Sequence, residues 1–581
     1  MKKTKRLAAL PFTALISLAS NAQTPPVPAE AARTNAEQQQ QLQQQRDAQQ
    51  RAATVAAPGV RSAAPQAGEW PVLPVETPCF RIDTFMIEMP DTLPEILRVK
   101  GASAMPMDPF AFLHDWLRRY EGQCVGKQGL DMLTKGLQGE ILSRGYITTR
   151  VLLPTQDLSN GVLKFTLIPG VIRNLKVAGT QTRGALESAF PARNGDVLQL
   201  RDLEQGLEQM KRVPNQDAAM QIVPGEVPGE SDVVVTVKRT KPWSLVLSAD
   251  NSGTEATGRY LGNASLALYN LVGINDVLSG GFNQDLQFGN HALGTHGWNA
   301  AYSVPWGYWT GTLYGYTNTY YQHIAGVNQT FVSSGNAQTA GLKVERVIHR
   351  SQDDVSGVEF QLVKRFGASF IEDTEIPQQY RNNTFVEAGL TNRHYFGSAQ
   401  FDGTLAYRQG IGGLGAMPDT PPGGPTYRFH MTTLDANLSV PFAVRGKTLR
   451  YVTTLHGQFT SDELNAIDDL SIGSRYTVRG FSGETMLAAE KGFYWRNELQ
   501  YPLGQTGQIL YGGIDYGHLW GSSTAYLAGT QLAGAVVGFK GSLPSRPGTF
   551  SYDLFAGTPV YAPQGFPASS VTLGFHFIGQ F

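Results

Sequence analysis

The last strand of this chain alternates so strictly that it limits what the whole second half can fold into. Its apolar residues share one parity and its polar or small residues share the other. The first set is Val571, Leu573, Phe575, Phe577 and Phe581, and the second is Thr572, Gly574, His576 and Gln580. Because successive side chains of a β-strand point to opposite faces, one face of this strand is apolar and the other is polar.

The same alternation recurs throughout residues 242–581, where helical periodicity is almost absent. Candidate strands begin near Trp243, Tyr260, Asp276, His296, Tyr308, Gln338, Val355, Thr384, Ser398, Arg428, Thr448, Gly492, Gln508, Gln531, Thr549 and Ser570. An even number of such strands, with lipid outside and water inside, predicts a 16-stranded antiparallel outer-membrane β-barrel. The chain holds 64 Gly, 28 Phe and 23 Tyr but only 16% charged residues, which suits a sheet with aromatic girdles. A soluble β-sandwich is the alternative.

The N-terminal segments predict export and a plug. Residues 1–22 combine a basic start, an apolar run at 7–19 and small residues before a cut after Ala22, which is typical of a signal peptide. The alternative, a membrane-anchor helix, is too short to span roughly 30 Å. Residues 23–57 are rich in Ala and Gln, so they are either a solvated, disordered segment or a helix that lies in a polar cavity. Residues 58–78 form a Pro-rich linker.

Two tandem α+β repeats follow the linker. Residues 79–169 predict the order strand, helix, helix, strand, strand, with leucines three and four apart along the second helix. Residues 170–241 repeat that order, with one helix over 200–213 and β-rich segments at 220–223 and 233–237. We refer to these units as the first and second repeats.

The cysteine count and the net charge limit which bonds, ligands and partners are expected for this chain. Cys79 and Cys124 are the two cysteines, and an exported chain meets an oxidising compartment, so a disulfide is expected. The alternative of free or metal-binding thiols lacks nearby His partners. The net charge of −1 gives no basic field for nucleic acid, and no metal-ligand or nucleophile motif predicts an enzyme, a metal or a cofactor.

The long connection between the eleventh and twelfth strands is the most informative loop. It covers residues 460–491 and we name it the inward loop. Gly480 and Gly483 permit a tight reversal that would present Arg479, although a solvated surface loop is the alternative. In the thirteenth strand Asp515 shares parity with Gly513 and Gly517. Since a carboxylate would be costly on the lipid face, we expect Asp515 to face the lumen and to pair with Arg479.

Several motifs resemble the two-partner secretion transporters (the TpsB family) of the Omp85 superfamily. Residues 145–151 and 154–161, which contain Tyr146, Arg150, Gln156 and Asp157, resemble the first POTRA domain of that family. The segment Val478, Arg479, Gly480 and Phe481 resembles its loop motif, with Phe where Tyr is frequent. Residues 492–499, which include Glu498, and Asp515 with Gly517 resemble its next strand and its inner-wall motif.

The resemblance implies a 16-stranded barrel, two periplasmic POTRA domains and an N-terminal helix that can plug the pore. It implies a haemolysin, adhesin or contact-dependent-inhibition toxin as exported partner, captured by the POTRA domains and moved without ATP. We expect outer-membrane lipid and the barrel-assembly machinery as further partners, with Phe577 and Phe581 as the assembly signal. An insertase of the same superfamily, a passive porin and a surface enzyme or adhesin on a barrel anchor are the alternatives.

Overall fold

The computed structural model describes most of the chain after the N-terminal segments. The described residues are 40, 44–46, 48–49, 59–62, 68, 70–89, 109–179, 184–287, 293–325, 329–421, 423–504, 506–546 and 548–581. The signal-peptide prediction for residues 1–22 lies outside the described residues. Of the predicted plug segment, residues 40, 44–46 and 48–49 are described, and they are helical.

Both repeats contain a three-stranded sheet of the same topology. The first repeat consists of β1 (Phe80–Ile82), β2 (Thr84–Glu88), α1 (Ala111–Arg118), β3 (Gln123–Val125), α2 (Lys127–Ser143), β4 (Arg150–Leu152) and β5 (Val162–Ile168). The second consists of β6 (Val171–Val177), α3 (Gly184–Ala189), α4 (Leu200–Lys211), β7 (Gln216–Pro224) and β8 (Glu230–Arg239). The sheet orders are β2-β5-β4 and β6-β8-β7, each with one parallel and one antiparallel pair. The predicted pair of α+β repeats is confirmed.

The first repeat differs from the sequence expectation at two places. Strand β3 was not predicted, since three residues are too few to show a period, and it pairs antiparallel with β1. The β-rich region predicted over 146–153 is a strand only at β4. Tyr146 instead is partly buried and packs against the core residue Phe110, with ring centroids 4.9 Å apart.

Helix α2 shows how the linker contributes to the first repeat. Leu133, Leu137 and Ile141, spaced four apart, are fully buried on one helix face. At the start of the helix, the linker residue Glu76 accepts hydrogen bonds from the backbone N–H groups of Gln128 (2.7 Å) and Gly129 (2.8 Å). Desolvation alone would raise the pKa of Glu76. The N–H donors outweigh this effect and hold the pKa of Glu76 below its usual value. The linker is therefore bound along the repeat.

Helix α4 fixes the second repeat to one rim of the barrel. The side-chain amides of Gln205 and Gln209 donate to the carbonyl of Gly307, at 3.2 and 3.0 Å. Arg212 donates to the Ser303 hydroxyl at 2.9 Å and to the carbonyl of Asn275 at 3.0 Å. The second repeat and the barrel therefore share a buried polar interface.

Sixteen long strands close the barrel, and each neighbouring pair is antiparallel. They are β9 (Trp243–Asp250), β10 (Leu261–Tyr269), β11 (Val277–Asp285), β12 (Gly294–Trp306), β13 (Trp309–Ala325), β14 (Thr330–Arg350), β15 (Asp354–Ile371), β17 (Arg381–Phe396), β18 (Ala399–Ile411), β19 (His430–Val444), β20 (Lys447–Phe459), β23 (Lys491–Pro502), β24 (Gln508–Trp520), β25 (Gln531–Pro544), β26 (Thr549–Tyr561) and β27 (Thr572–Gln580). A two-residue strand, β16 (Thr374–Glu375), folds back and pairs antiparallel with the end of β15. Strand β27 pairs with β9 and closes the cylinder. The predicted barrel is confirmed.

The two faces of the wall differ as the alternation predicts. Trp298, Leu313 and Ile514 are about three-fifths exposed on the outer face, where lipid covers them. Asn318 and Asp515 are buried on the inner face. Among the described residues, no helix has the length and apolar character needed to cross a bilayer.

One predicted strand boundary is wrong by eight residues. The sixth strand begins at Thr330 instead of near Gln338. Thr330, Phe331 and Val332 favour a strand, but residues 333–337 that follow are small or polar, with low intrinsic β-propensity. Those residues pair with β13 on one side and β15 on the other. Tertiary pairing therefore overrides the local sequence signal.

Candidate functional site: the lumen, the inward loop and the N-terminal helix

The inward loop leaves β20 and folds back into the barrel. It ends at Glu490, because Lys491 is the first residue of β23. Two short strands, β21 (Leu470–Ile472) and β22 (Leu487–Ala489), pair antiparallel and stiffen it. Its apolar side chains form a small core with the barrel wall and the last loop. That core comprises Leu470, Ile472, Val478, Phe481, Leu487, Ala489, Tyr494, Leu519, Leu532 and Phe566.

Arg479 is the centre of a buried charge cluster. Its Nε and Nη2 atoms donate to the two carboxylate oxygens of Asp515, at 2.7 and 2.9 Å, and its backbone N–H donates to Asp515 at 2.9 Å. Its Nη1 atom donates to Glu498 at 2.5 Å. The side chains of Arg479 and Asp515 are 6% and 0% exposed. This bidentate, desolvated geometry makes the cluster highly sensitive to loss of either partner.

Lys540 completes the cluster on the next strand. Its ammonium group donates to Glu498 at 2.7 Å, and the guanidinium of Arg496 lies 3.9 Å from Asp515, so three cations face two carboxylates. The sequence reasoning paired Arg479 with Asp515 and included Glu498, but it missed Lys540. The parity of β25 could have placed Lys540 on the inner face, although parity alone does not supply the register.

Glycines on the inner wall make room for the turn of the inward loop. A Cβ at Gly534 would overlap the carbonyl oxygen of Arg479, and one at Gly557 would lie 2.8 Å from the Cα of Gly480. Gly517 faces Val478, whose methyl group would lie 2.9 Å from a Cβ there. Gly480 itself has φ +109°, a conformation that favours glycine. The loop backbone therefore packs directly on the wall backbone.

Arg475 of the inward loop lies where the first and last strands meet. It donates to the side-chain oxygen of Asn251 at 2.6 Å and to the carbonyl of Phe575 at 3.3 Å. Asn251 in turn donates to the carbonyl of Leu573 at 2.9 Å. These bonds connect the loop to both sides of the barrel seam, and sequence reasoning did not identify them.

The N-terminal helical residues lie in the lumen against the inward loop. Gln44 donates to the backbone carbonyl of Ser471 at 3.0 Å and accepts from the hydroxyl of Ser474. Gln40 donates to the carbonyl of Ala466, and the Arg46 guanidinium lies 3.6 Å from the ring centre of Tyr316. All are polar contacts, so this helix occupies the polar cavity that its composition allowed.

A cavity of about 470 Å³ remains between the N-terminal helix and the wall. Oppositely charged side chains pair along its lining. The pairs are Arg408 with Glu387 (2.7 Å), Arg393 with Asp402 (2.6 Å), Lys343 with Glu359 (2.9 Å) and Arg365 with Asp468 (2.6 Å). The lining is thus polar and holds more carboxylates than cationic side chains, which suits a water-filled path for an extended chain.

The four motif residues of the first repeat do not form one site. Tyr146 is partly buried against the core, whereas Arg150 is exposed and donates to the carbonyls of Ile147 and Thr149. Gln156 bonds the backbone N–H and C=O of Lys164, at 2.7 and 2.8 Å, and so borders β5. Asp157 accepts from the N–H of Ser159, and this bond lowers the pKa of Asp157. Each therefore supports the local fold.

The remaining predicted residues lie away from the lumen. Cys79 and Cys124 form a disulfide that joins the start of the first repeat to β3. Phe577 stacks on Phe550, with ring centroids 5.9 Å apart, and the backbone of Phe581 bonds that of Leu245 on β9. Within the described ranges, no group of His, Cys, Asp or Glu side chains is arranged to hold a metal ion.

Together, a closed barrel, two α+β repeats and a loop anchored in the lumen define the class of transporters that cross the outer membrane as a β-barrel. Residues 229–541 match the family described as haemolysin secretion/activation protein ShlB/FhaC/HecB. Residues 97–170 and 171–224 match the ShlB-type POTRA domain and a further POTRA domain. The chain belongs to this family of two-partner secretion transporters, and its POTRA domains lie in the periplasm.

Individual relatives agree with the family assignment. The chain is 59% identical to the outer membrane transporter CdiB-2 of Burkholderia pseudomallei strain 1026b, over 99% of this chain and 100% of the relative. It is 27% identical to the haemolysin transporter ShlB of Serratia marcescens, over 71% and 74% of the two chains. The structure of CdiB from Acinetobacter baumannii superimposes with a TM-score of 0.83 at 25% identity, covering 94% of this chain and 99% of the other.

Proposed function

We propose that this chain exports one large exoprotein from the periplasm to the cell surface through its own lumen, without ATP and without a catalytic step. The observation that carries this proposal is the contrast inside the lumen. The inward loop is bound by a buried charge cluster, whereas the N-terminal helix is bound by polar side chains that water can replace. A removable helix beside a permanent loop suits a pore that opens for a chain.

The POTRA domains capture the exoprotein in this proposal. In the first POTRA sheet β2 and β4 are edge strands, and Met86 on β2 is two-fifths exposed. An extended segment of the exoprotein adds to such an edge by main-chain hydrogen bonds. The helix then leaves the lumen, and the exoprotein passes along the polar cavity with Arg479 still bound to Asp515. The strand that ends in Phe577 and Phe581 serves earlier, as the signal for the assembly machinery and for insertion into lipid.

The proposal also specifies the class of exoprotein that the chain exports. Relatives at 59% and 31% identity carry the name CdiB, and the haemolysin transporter ShlB follows at 27%. The first cargo to test is therefore a contact-dependent-inhibition toxin, ahead of a haemolysin or an adhesin.

The experiment measures export of a candidate large exoprotein, chosen first from genes adjacent to the one that encodes this chain, in cells with and without the chain. We expect the exoprotein at the cell surface only when the chain is present, with the abundance of other barrels unchanged. Export without the chain would refute the proposal. Loss of other barrels when the chain is removed would show an insertase instead.

A further inference from the structure

A short piece of the linker is bound where the second POTRA domain meets the barrel rim. Residues 59–62 (Gly59, Val60, Arg61 and Ser62), which we name the strap, lie between helix α4 and two periplasmic ends of the wall. One end is at Arg350 to Asp353, between β14 and β15, and the other is at Tyr395 near the end of β17.

Side chains of the site bind the strap mainly through its backbone. The N–H of Ser62 donates to Glu204 at 2.5 Å, and the N–H of Val60 donates to Glu208 at 3.3 Å. Arg350 donates to the carbonyl of Val60 at 2.8 Å. Glu204 and Glu208 are four residues apart on α4, so they lie on one face of the helix. Since these groups bind N–H and C=O, other extended sequences fit the same site.

Two side chains of the strap add selectivity. Val60 packs against the core of the second POTRA domain. Arg61 lies 4.1 Å from the ring centre of Tyr395 and pairs with Asp353 at 3.3 Å. The site thus favours an apolar residue followed by a basic one.

An open cleft adjoins the strap site. Its volume is about 530 Å³, and it lies between the two POTRA domains and the rim. Phe112 and Tyr146 line it from the first domain, while Arg201, Arg350 and Asp353 line it on the strap side. Arg350 and Asp353 also bind the strap, and Arg201 pairs with Glu204 at 2.9 Å. A chain lying in the cleft would therefore contact the groups that hold the strap.

The strap also restricts the N-terminal helix. Nine residues separate Gln49, the last described helical residue, from Gly59. That length of chain spans at most about 35 Å. While the strap is bound, the helix remains within this distance of the rim, and its return to the lumen is favoured by a high effective concentration.

Resting on the proposed export function, we propose that the strap site is a peptide-binding site that exchanges its own segment for the exoprotein. The incoming ligand is an extended segment with an apolar residue followed by a basic one. It occupies the cleft, takes the backbone contacts of Glu204, Glu208 and Arg350, and displaces the strap. Arrival of the exoprotein thereby frees the helix to leave the lumen.

The first test uses the full chain in planar bilayers and a synthetic peptide of residues 57–64, Ala-Pro-Gly-Val-Arg-Ser-Ala-Ala. We expect the peptide, added on the POTRA side, to bind the chain and to raise the open fraction of the pore about tenfold, a factor that corresponds to about 1.4 kcal/mol. The control peptide carries Glu in place of the Arg that corresponds to Arg61. Equal effects of the two peptides, or no effect of either, would overturn the proposal.

The second test uses variants of the strap. Arg61→Glu places two carboxylates together, so it should raise the open fraction without peptide and remove the additional effect of the peptide. Arg81→Glu is the control, because Arg81 pairs with exposed Asp83 far from the strap. An Arg61→Glu pore that opens no more often than the Arg81→Glu pore would count against the strap site.

The two tests separate this proposal from the export function. Neither conductance measurement requires the exoprotein. If the exoprotein is exported but neither the peptide nor the Arg61→Glu variant changes the open fraction of the pore, the strap proposal is wrong and the proposed export function is retained. If the peptide and the variant both open the pore but the exoprotein is never exported, the proposed export function is wrong and the peptide-binding strap site is retained.

Discussion

The inward loop and the N-terminal helix occupy the same lumen but are held there by different forces. The loop is joined to the wall at both ends, packs an apolar core and buries the ion pair of Arg479 with Asp515. The described helical residues make neutral hydrogen bonds through Gln40 and Gln44 and a cation–π contact from Arg46 to Tyr316. Breaking a buried pair on one side costs about 3–5 kcal/mol, while one neutral hydrogen bond contributes about 1 kcal/mol. The difference identifies the loop as a fixed part of the pore and the helix as its removable part.

The largest expected effect comes from removing the charge that fixes the loop. Arg479→Ala leaves the buried Asp515 with only the longer 3.9 Å contact to Arg496, and we expect a loss of about 3–5 kcal/mol in the attachment of the loop. Export should fall to background while the barrel still inserts, as judged by heat-modifiable mobility on gels. Arg450→Ala is the control, since Arg450 is exposed on β20. Export at the control level by Arg479→Ala would show that the pair is dispensable.

A smaller effect should follow when the loop is displaced without any change of charge. Gly534→Ala introduces a methyl group where the carbonyl of Arg479 lies, and overpacking of this kind costs about 1–3 kcal/mol. We expect faster protease cleavage in the inward loop and reduced export. Gly512→Ala is the matched control, because its nearest atom, the carbonyl oxygen of Val536, is 3.8 Å from the new Cβ. The same cleavage rate in both variants would contradict the role of Gly534.

A third, weaker change should act on the helix alone. Gln44→Ala removes hydrogen bonds to Ser471 and Ser474, a loss of about 1 kcal/mol. The open fraction of the pore in planar bilayers should rise about fivefold, with export preserved. Gln49→Ala serves as the control, since Gln49 is exposed. Lower export by Gln44→Ala would mean that the helix also has a positive role in transport.

The smallest effect concerns a charge cluster outside the lumen. In the second POTRA domain Asp232 accepts from Arg173 and Lys176, at 2.8 Å each, and these bonds lower the pKa of Asp232. A lowered pKa in the folded state stabilises the domain above the unfolded value of about 3.9, and this contribution is lost as the pH falls below it. Asp232→Asn should therefore lower the melting temperature slightly at pH 7, and the difference should shrink below about pH 4. Asp217→Asn is the control, because Asp217 belongs to an exposed pair. This variant should change neither the melting temperature nor its dependence on pH.

Sequence periodicity predicted the barrel because each strand faces lipid on one side and water on the other. The same parity placed Asp515 in the lumen, and the small size of Gly513 and Gly517 predicted close approach of a backbone. Each of these inferences used only the residue pattern within a single strand. None of them required the register between distant segments.

Contacts between distant segments could not be predicted in this way. The bonds of Arg475 to Asn251, of Lys540 to Glu498 and of Arg350 to the strap join residues 42 to 290 positions apart in the chain. Which side chains meet is set by strand register and by how the second repeat sits on the rim. The alternation of side chains along a strand gives neither the strand register nor the position of the second repeat on the rim. These contacts were therefore identified only in the folded structure.

The most direct test of the central claim locks each element in turn with a cysteine pair and measures export. Gln44→Cys with Ser474→Cys would lock the helix to the loop, and Val478→Cys with Gly517→Cys would lock the loop to the wall. The account predicts that the oxidised helix lock blocks export and that a reductant restores it, while the oxidised loop lock leaves export unchanged. Export through the locked helix, or a block by the locked loop, would contradict the division into a removable helix and a fixed loop.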